Sequence, residues 1–221
     1  CLSLVGSEMC IRDRYTMVPS NKVIAIDGPA ASGKSSVATR VSKKTGFLHV
    51  NSGLMYRALT WSALRADIDT NNESKVINHL NSIEMECIKS NDSLLLHING
   101  NDPGEELKSE EVNRSVSVVA AIKEVRSELV KRQREYLLVS DIVMEGRDIG
   151  SVVFPETPFK FYIDASPEVR ALRRRGEGGV DDLIERDKLD SSRKVSPLVI
   201  PEDAFVIDTS DCLLYTSPSP R

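Results

Sequence analysis

Val23-Ile24-Ala25-Ile26-Asp27-Gly28-Pro29-Ala30-Ala31-Ser32-Gly33-Lys34-Ser35 is the stretch that decides the fold. An apolar run of strand character leads straight into Gly-x-x-x-x-Gly-Lys-Ser, the arrangement of a phosphate-binding P-loop. The glycines let the backbone fold so that successive N–H groups point inward at a phosphate chain. Gly28, Pro29, Ala30, Ala31, Ser32, Gly33, Lys34, Ser35 and Ser36 then form the cradle. Lys34 supplies a point charge for the β- and γ-phosphates, and Ser35 a hydroxyl for Mg²⁺. A helix must follow, and Val37 and Val41 sit one turn apart, with Gly46 where a helix C′ residue stands. The loop is read as a nucleoside triphosphate site.

Outward from the loop, the pattern reads strand 23–27, helix 34–45, strand 47–51 and helix 52–66. Such alternation predicts an α/β fold of the P-loop type, a parallel sheet flanked by helices. The next stretch differs. Ile83, Met85 and Cys87 alternate with Glu84 and Glu86, a strand with one wet face. A turn at 90–93, an apolar run at 94–98 and the tight-turn pair Asn99-Gly100 make this a small antiparallel lobe inserted in the α/β pattern. Helical sequence resumes near Glu105 and runs towards Leu138 as two helices. Ile142 to Met144 reads as a buried strand with Glu145-Gly146-Arg147-Asp148 at its carboxyl end, and Phe159 to Asp164 as another. Ser166 and Pro167 cap a helix that breaks at Gly176 to Gly179, a further helix carries Asp181 to Asp190, and Ala204 to Asp208 is the last strand. The P-loop, Asn51-Ser52-Gly53 and 145–148 all fall at carboxyl ends of strands, where ligands gather in open α/β sheets.

Of 221 residues, 40% are hydrophobic and 28% charged, with a net charge of −4. That suits one α/β core with a small appended lobe. The mild acidity speaks against a nucleic-acid binder, which would need a basic face. No run reaches membrane-spanning length, so a soluble, cytoplasmic protein without membrane partners is expected. Residues 1–14 and 212–221 show neither helix nor strand periodicity and are expected to be non-native ends, with Met17 as the native start. Cys1, Cys10 and Cys212 lie in those ends, so Cys87 alone implies neither a disulfide framework nor a metal site. His49, His79 and His97 are scattered without triad or ligand spacing. No Asn-Lys-x-Asp guanine motif occurs. The arginines fall where phosphoryl transfer needs positive charge: Arg57 a turn beyond Gly53, Arg147 at a strand end, Arg170 and Arg173–Arg175 before the Gly-rich bend, and Arg186 and Arg193 after it.

Five segments together resemble the bacterial cytidylate kinases: 28–35, Ser52-Gly53-Leu54-Met55-Tyr56-Arg57, Glu145 to Gly150, Arg186 to Arg193, and Ser196-Pro197-Leu198. The resemblance covers residues 20–211, and its last two segments distinguish this family from adenylate, guanylate and shikimate kinases. It implies a kinase domain with a core at 20–66 and 118–211, a monophosphate-binding insert at about 67–117 and a lid at about 170–193. It implies ATP and CMP or dCMP as substrates, Mg²⁺ with the ATP, and a monomer. Ser52, Tyr56, Arg57, Arg147 and Arg193 would hold the CMP phosphate, Ser117, Arg126 and Asp148 the cytosine, and Arg186 and Asp190 the sugar side. Lys34, Arg147, Arg174, Arg186 and Arg193 would carry the transfer, with Arg173–Arg175 in the lid. Cytosine offers an amine that the Asp148 carboxylate can accept from, where uracil would present a repelled carbonyl. Asn51 and Glu145 each stand where many relatives have Asp, the segment from Arg175 to Asp182 is shorter than in many, and Pro218 and Pro220 forbid the helix with which relatives end. Two other readings stay open: the same fold accepting UMP as well, and a nucleotide-binding module without turnover.

Overall fold

The computed structural model describes residues 21–90, 93–176, 183–193 and 195–212, with the side chains of 88–90, 93–94 and 183–186 outside the description. At its centre β1 (Val23–Asp27) lies between β5 (Ile142–Gly146) and β6 (Lys160–Asp164), parallel to both. β2 (Leu48–Asn51) pairs in parallel with β5, and β7 (Phe205–Asp208) with β6. The antiparallel unit is present as β3 (Met85–Ser90) on β4 (Ser93–Ile98). It continues the main sheet, because β4 meets β2 at the pair His49–Ser93, giving the order β3-β4-β2-β5-β1-β6-β7. Ala25, Ile142, Val143 and Met144 are wholly buried, as strands covered on both faces must be.

Seven helices surround the sheet among the described residues. α1 (Lys34–Thr45) springs directly from the P-loop, with no side-chain cap at Gly33 and no acid in its first turn. Its leading N–H groups and positive dipole end are thereby left to an anion. It ends at Gly46, in the left-handed region at φ 74°, whose N–H closes on Ser42 O at 2.8 Å. α2 (Ser52–Arg65) follows β2 without a break. α3 (Glu73–Ser82) was not anticipated from sequence, although Asn72 caps it by accepting from the Lys75 N–H at 3.1 Å. Its C-cap is Ile83, so the strand expected from that residue begins only at Met85.

The two helices expected between 105 and 138 are α4 (Glu110–Val119), capped by Ser109, and α5 (Lys123–Glu135), flanked by 3-10 turns at Gly104–Lys108 and Tyr136–Leu138. α6 (Pro167–Gly176) and α7 (Leu183–Ser191) lie either side of the expected break. A π-helical turn, Ile149–Val153, follows β5 after Arg147 and Asp148.

Three hydrophobic clusters result. Leu59, Val76, Leu80, Val116 and Leu129 unite α2 to α5 beneath β4. Val23, Val50, Met144 and Ile149 pack one face of the central strands, and Ile26, Ala38, Val143 and Ile163 the other, under α1. Among the described residues no helix is long and apolar enough to cross a membrane.

Candidate active site

The P-loop owes its curl to three residues in left-handed territory: Gly28 at φ 148°, Ala31 at 57° and Gly33 at 93°. At Gly28 a Cβ would stand 2.0 Å from Ile163 O, so no side chain fits. Lys34 Nζ donates to Pro29 O at 2.7 Å, across the loop it belongs to. Two residues from elsewhere brace the loop. Arg170 on α6 donates to Ala165 O at 3.0 Å and Ala30 O at 3.3 Å and pairs with Asp187, while the Thr209 hydroxyl donates to Ser32 O at 2.8 Å.

Beside the loop, the end of β5 presents a buried carboxylate. Glu145 Oε2 accepts from the Ser35 hydroxyl at 2.7 Å, and Oε1 accepts from Asn51 Nδ2 at 3.0 Å and meets His49 Nε2 at 3.1 Å. Burial pushes the Glu145 carboxyl up, but the His49 bond, the Lys34 charge and the Ser35 hydroxyl outweigh it and hold it below its ordinary value. Asp27, ending the neighbouring strand, behaves oppositely. Its two oxygens accept from the Ile149 and Gly150 N–H groups at 2.8 and 2.7 Å. Burial still dominates and raises its carboxyl to about 6.

The turn after β5 carries a second group of charged side chains. Arg147 donates to Gly28 O at 2.6 Å and to Asp190 Oδ2 at 2.7 Å. Asp190 also pairs with Arg193, so one buried carboxylate holds two guanidinium groups. Burial first, and the Arg126 and Arg147 charges after it, pull the Arg193 pKa below its ordinary value. Asp148 pairs with Arg126, both nearly inaccessible. Arg126 donates further to Ala120 O at 3.0 Å and lies over the Tyr56 ring, 5.2 Å from its centroid. Burial raises the Tyr56 hydroxyl to about 12, keeping it protonated. Arg57 donates to Leu107 O at 2.8 Å, and the Ser52 hydroxyl to Glu145 O at 2.8 Å.

One cleft gathers the residues that sequence assigned to the CMP side, Arg186 apart, and of the P-loop residues only Lys34 and Ser35. Ser52, Tyr56, Arg57, Ser117, Arg126, Arg147, Asp148, Asp190 and Arg193 line it together with Lys34 and Ser35. Nε of Arg126 and of Arg193 are buried there without a hydrogen-bond partner, donors suited to an anionic ligand. Arg174 on α6 does not line this cleft. Arg173 is engaged elsewhere, donating to Thr209 Oγ1, Thr209 O and Cys212 O at 3.1, 2.6 and 3.0 Å. The Arg186 side chain and residues 177–182 of the expected lid lie outside the described residues. Sequence reasoning missed Asp27, His49 and Thr209, and it named Arg170 as a charge for phosphoryl transfer, not as a brace on the P-loop. An acid ending an apolar strand just before the P-loop was a usable signal for Asp27, whereas Thr209 gave none.

A P-loop opening into an arginine-lined cleft at the carboxyl edge of a parallel sheet defines a P-loop kinase. The cytidylate kinase family model matches residues 24–215. The chain is 42% identical over 199 residues to the cytidylate kinase of Caldanaerobacter subterraneus subsp. tengcongensis, covering 85% of this chain and 87% of that one. It is 40% identical over 198 residues to the cytidylate kinase of Bacillus subtilis, covering 85% and 88%. Among solved structures, an unliganded sugar kinase from Janibacter sp. aligns over 85% of each chain, with TM-score 0.43 and 12% identity. The chain belongs to the cytidylate kinase family.

Two stability measurements follow from this electrostatic arrangement. Arg126→Met strands the buried Asp148 carboxylate and is expected to cost about 3–5 kcal/mol in urea unfolding, a large part of which adding Asp148→Asn recovers. A single-variant loss under about 1 kcal/mol contradicts the pairing. For Asp27, the raised pKa means folding favours the protonated form. Its contribution to stability is therefore present in full below about pH 4 and lost as the pH rises through about 6. The stability difference between wild type and Asp27→Asn should shift against the wild type over that range, and a pH-independent difference contradicts it.

Proposed function

We propose that this protein transfers the γ-phosphoryl group of ATP to CMP or dCMP, giving ADP and CDP or dCDP. The observation that carries this reading is the single cleft holding Lys34 and Ser35 of the P-loop beside Arg57, Arg147, Arg193 and the Arg126–Asp148 pair.

A phosphate acceptor is already nucleophilic, so the work left to the protein is positioning and charge. Gly28 to Ser36 wrap the donor phosphates with inward N–H groups, and Lys34 moves from Pro29 O to the phosphate chain. Ser52, Tyr56, Arg57, Arg147 and Arg193 hold the acceptor phosphate. Arg147 also donates to the first carbonyl of the P-loop, so the same side chain touches donor and acceptor loops. Lys34, Arg147, Arg193, Arg186 and Arg174 neutralise charge on the transferred group, the last two once the lid at 170–193 closes and excludes water.

Asp148, held by Arg126, accepts from the exocyclic amine of cytosine, with Ser117 completing the base contacts. A uracil carbonyl there faces a carboxylate and loses the bond. Asp190 and Arg186 meet the sugar.

The residues present fit Mg²⁺. Ser35 Oγ and the ionised Glu145 carboxylate lie side by side, hard oxygen donors of the kind this ion takes. They would hold it with ATP, where it supplies positive charge against the phosphate oxygens. The catalytic unit spans 20–211, with the core at 20–66 and 118–211 and the insert at about 67–117, acting as a cytoplasmic monomer without nucleic-acid or membrane partners.

The test is ADP formation from Mg-ATP with CMP, dCMP, UMP, AMP and GMP offered separately. Turnover with CMP and dCMP, at least about tenfold weaker with UMP, and lost in Lys34→Ala, is expected. Comparable turnover of UMP means a broader pyrimidine kinase. Silence with all five, in a chain that binds ATP, means a binding module.

A further inference from the structure

We propose that Asp27 is a positioning residue for the acceptor nucleotide, fixing the turn that carries Arg147 and Asp148 against the start of the P-loop. The proposal rests on the (d)CMP kinase reading and adds a residue to it. Arg147 and Asp148 follow the last ladder pair of the central strands, Asp27 with Gly146. Beyond that pair the sheet no longer holds the chain. What holds it next is the Asp27 carboxylate, which takes the Ile149 N–H on one oxygen at 2.8 Å and the Gly150 N–H on the other at 2.7 Å. These are leading donors of the π-helical turn Ile149–Val153, without intrahelical partners by their position. Two bonds to two oxygens of one planar group fix orientation as well as distance.

The packing is built for this approach. A Cβ at Gly150 would stand 3.2 Å from the Lys160 stem and 3.3 Å from Asp27 Oδ2, so a side chain would press the N–H off the carboxylate. From the other side Arg147 donates to Gly28 O at 2.6 Å. Three hydrogen bonds thus join residues 27–28 to residues 147–150. The first residue of the donor loop and the two acceptor-binding side chains move as one piece. The charges felt by Asp27 are those of Lys34 on α1 and Asp148 on the turn itself, together with the two backbone N–H groups. Asp27 is 2% exposed, so both its oxygens are committed to these two N–H groups and not to solvent.

Asp27→Asn preserves the shape and one acceptor but turns an NH₂ towards the other N–H, and Asp27→Ala removes both acceptors. Steady-state kinetics with ATP, CMP and UMP, beside thermal melts, read the consequence. We expect kcat/KM for CMP to fall about tenfold in Asp27→Asn and further in Asp27→Ala. The preference for CMP over UMP narrows, because Asp148 is no longer held. KM for ATP stays within about twofold, since the cradle of Gly28 to Ser36 keeps its own bonds, and Asp27→Asn melts within a few degrees of wild type.

Unchanged constants for CMP overturn the proposal. So does an equal loss towards ATP and CMP with the base preference intact, or failure of both variants to unfold cooperatively, which assigns Asp27 to the fold alone. A wild type silent with every nucleotide overturns the kinase reading itself, a different result from an active wild type with unaffected variants.

Discussion

The parallel ladder between β1 and β5, running from Val23 with Ile142 to Asp27 with Gly146, is the constraint on which the site is built. It delivers the P-loop and the Arg147-Asp148 turn to the same end of adjacent strands. The neighbouring ladder sets Asn51 of β2 opposite Glu145. Three strand ends, carrying Asp27, Glu145 and Asn51, therefore open side by side. A slip of one residue would turn Glu145 to the opposite face and take its carboxylate away from Ser35. Such slips are suppressed because Ile142, Val143 and Met144 have no exposure, so the register is enforced on both faces. Strands of this kind are the last to open, and the site inherits their stiffness.

On that frame the two carboxylates that end β1 and β5 are tuned apart. Glu145 has the His49 ring nitrogen and the Ser35 hydroxyl as hydrogen-bond partners and the Lys34 charge nearby, and together these hold its pKa below the ordinary value. Asp27 has only backbone N–H groups at close range and shares its surroundings with Asp148, so burial prevails and its pKa rises. Glu145 lies opposite Ile26 and Asp27 opposite Gly146, so the two carboxylates stand one residue out of step and point to opposite faces of the sheet. The arginines are treated with similar economy. Arg147 and Arg193 share Asp190, and Arg126 takes Asp148. Buried ion pairs are weak stabilisers because desolvation offsets their attraction. Their value here is geometric: cations that would otherwise repel one another are kept in one cleft, with Arg126 and Arg193 each retaining an unused donor.

How much of this could be read beforehand follows from the range of the interactions. The P-loop, its strand and its helix are local signals within some two dozen residues, and they appear as read. The antiparallel hairpin was legible from its period of two, but its attachment to β2 depends on a crossover that no local pattern records. α3 escaped because Val76, Ile77 and Leu80 are a thin apolar stripe, and its clearest mark was the cap at Asn72. The cleft residues were named by resemblance to a family, and their convergence is visible only once the sheet is assembled. The run Arg173 to Arg175 shows the limit most plainly. Successive helical residues point about 100° apart, so equal sequence could not say that Arg173 would bind Thr209 and Cys212.

The cleft is lined from hydrophobic clusters that one sheet and Tyr136 join, and this bears on how its two sides are coupled. Tyr56 and the helices bearing Ser117 and Arg126 belong to the cluster formed by α2 to α5 under β4. The P-loop strand and Ile149, next to Asp148, belong to the clusters of the central strands. The Arg126–Asp148 pair joins a helix of the first cluster to the turn beside Ile149 of the second. On the proposed reading, a base that engages Asp148 acts on the same ion pair that joins the helices to this turn. Asp148 is in turn separated from the P-loop by only the Ile149 and Gly150 contacts to Asp27 and the Arg147 contact to Gly28. The turn that bears Asp148 and the start of the P-loop are thus linked by three short hydrogen bonds at the ends of buried strands. Under the proposed reading, a wrong base would be discriminated against twice, once by the lost contact and once by the looser geometry it leaves at the phosphates.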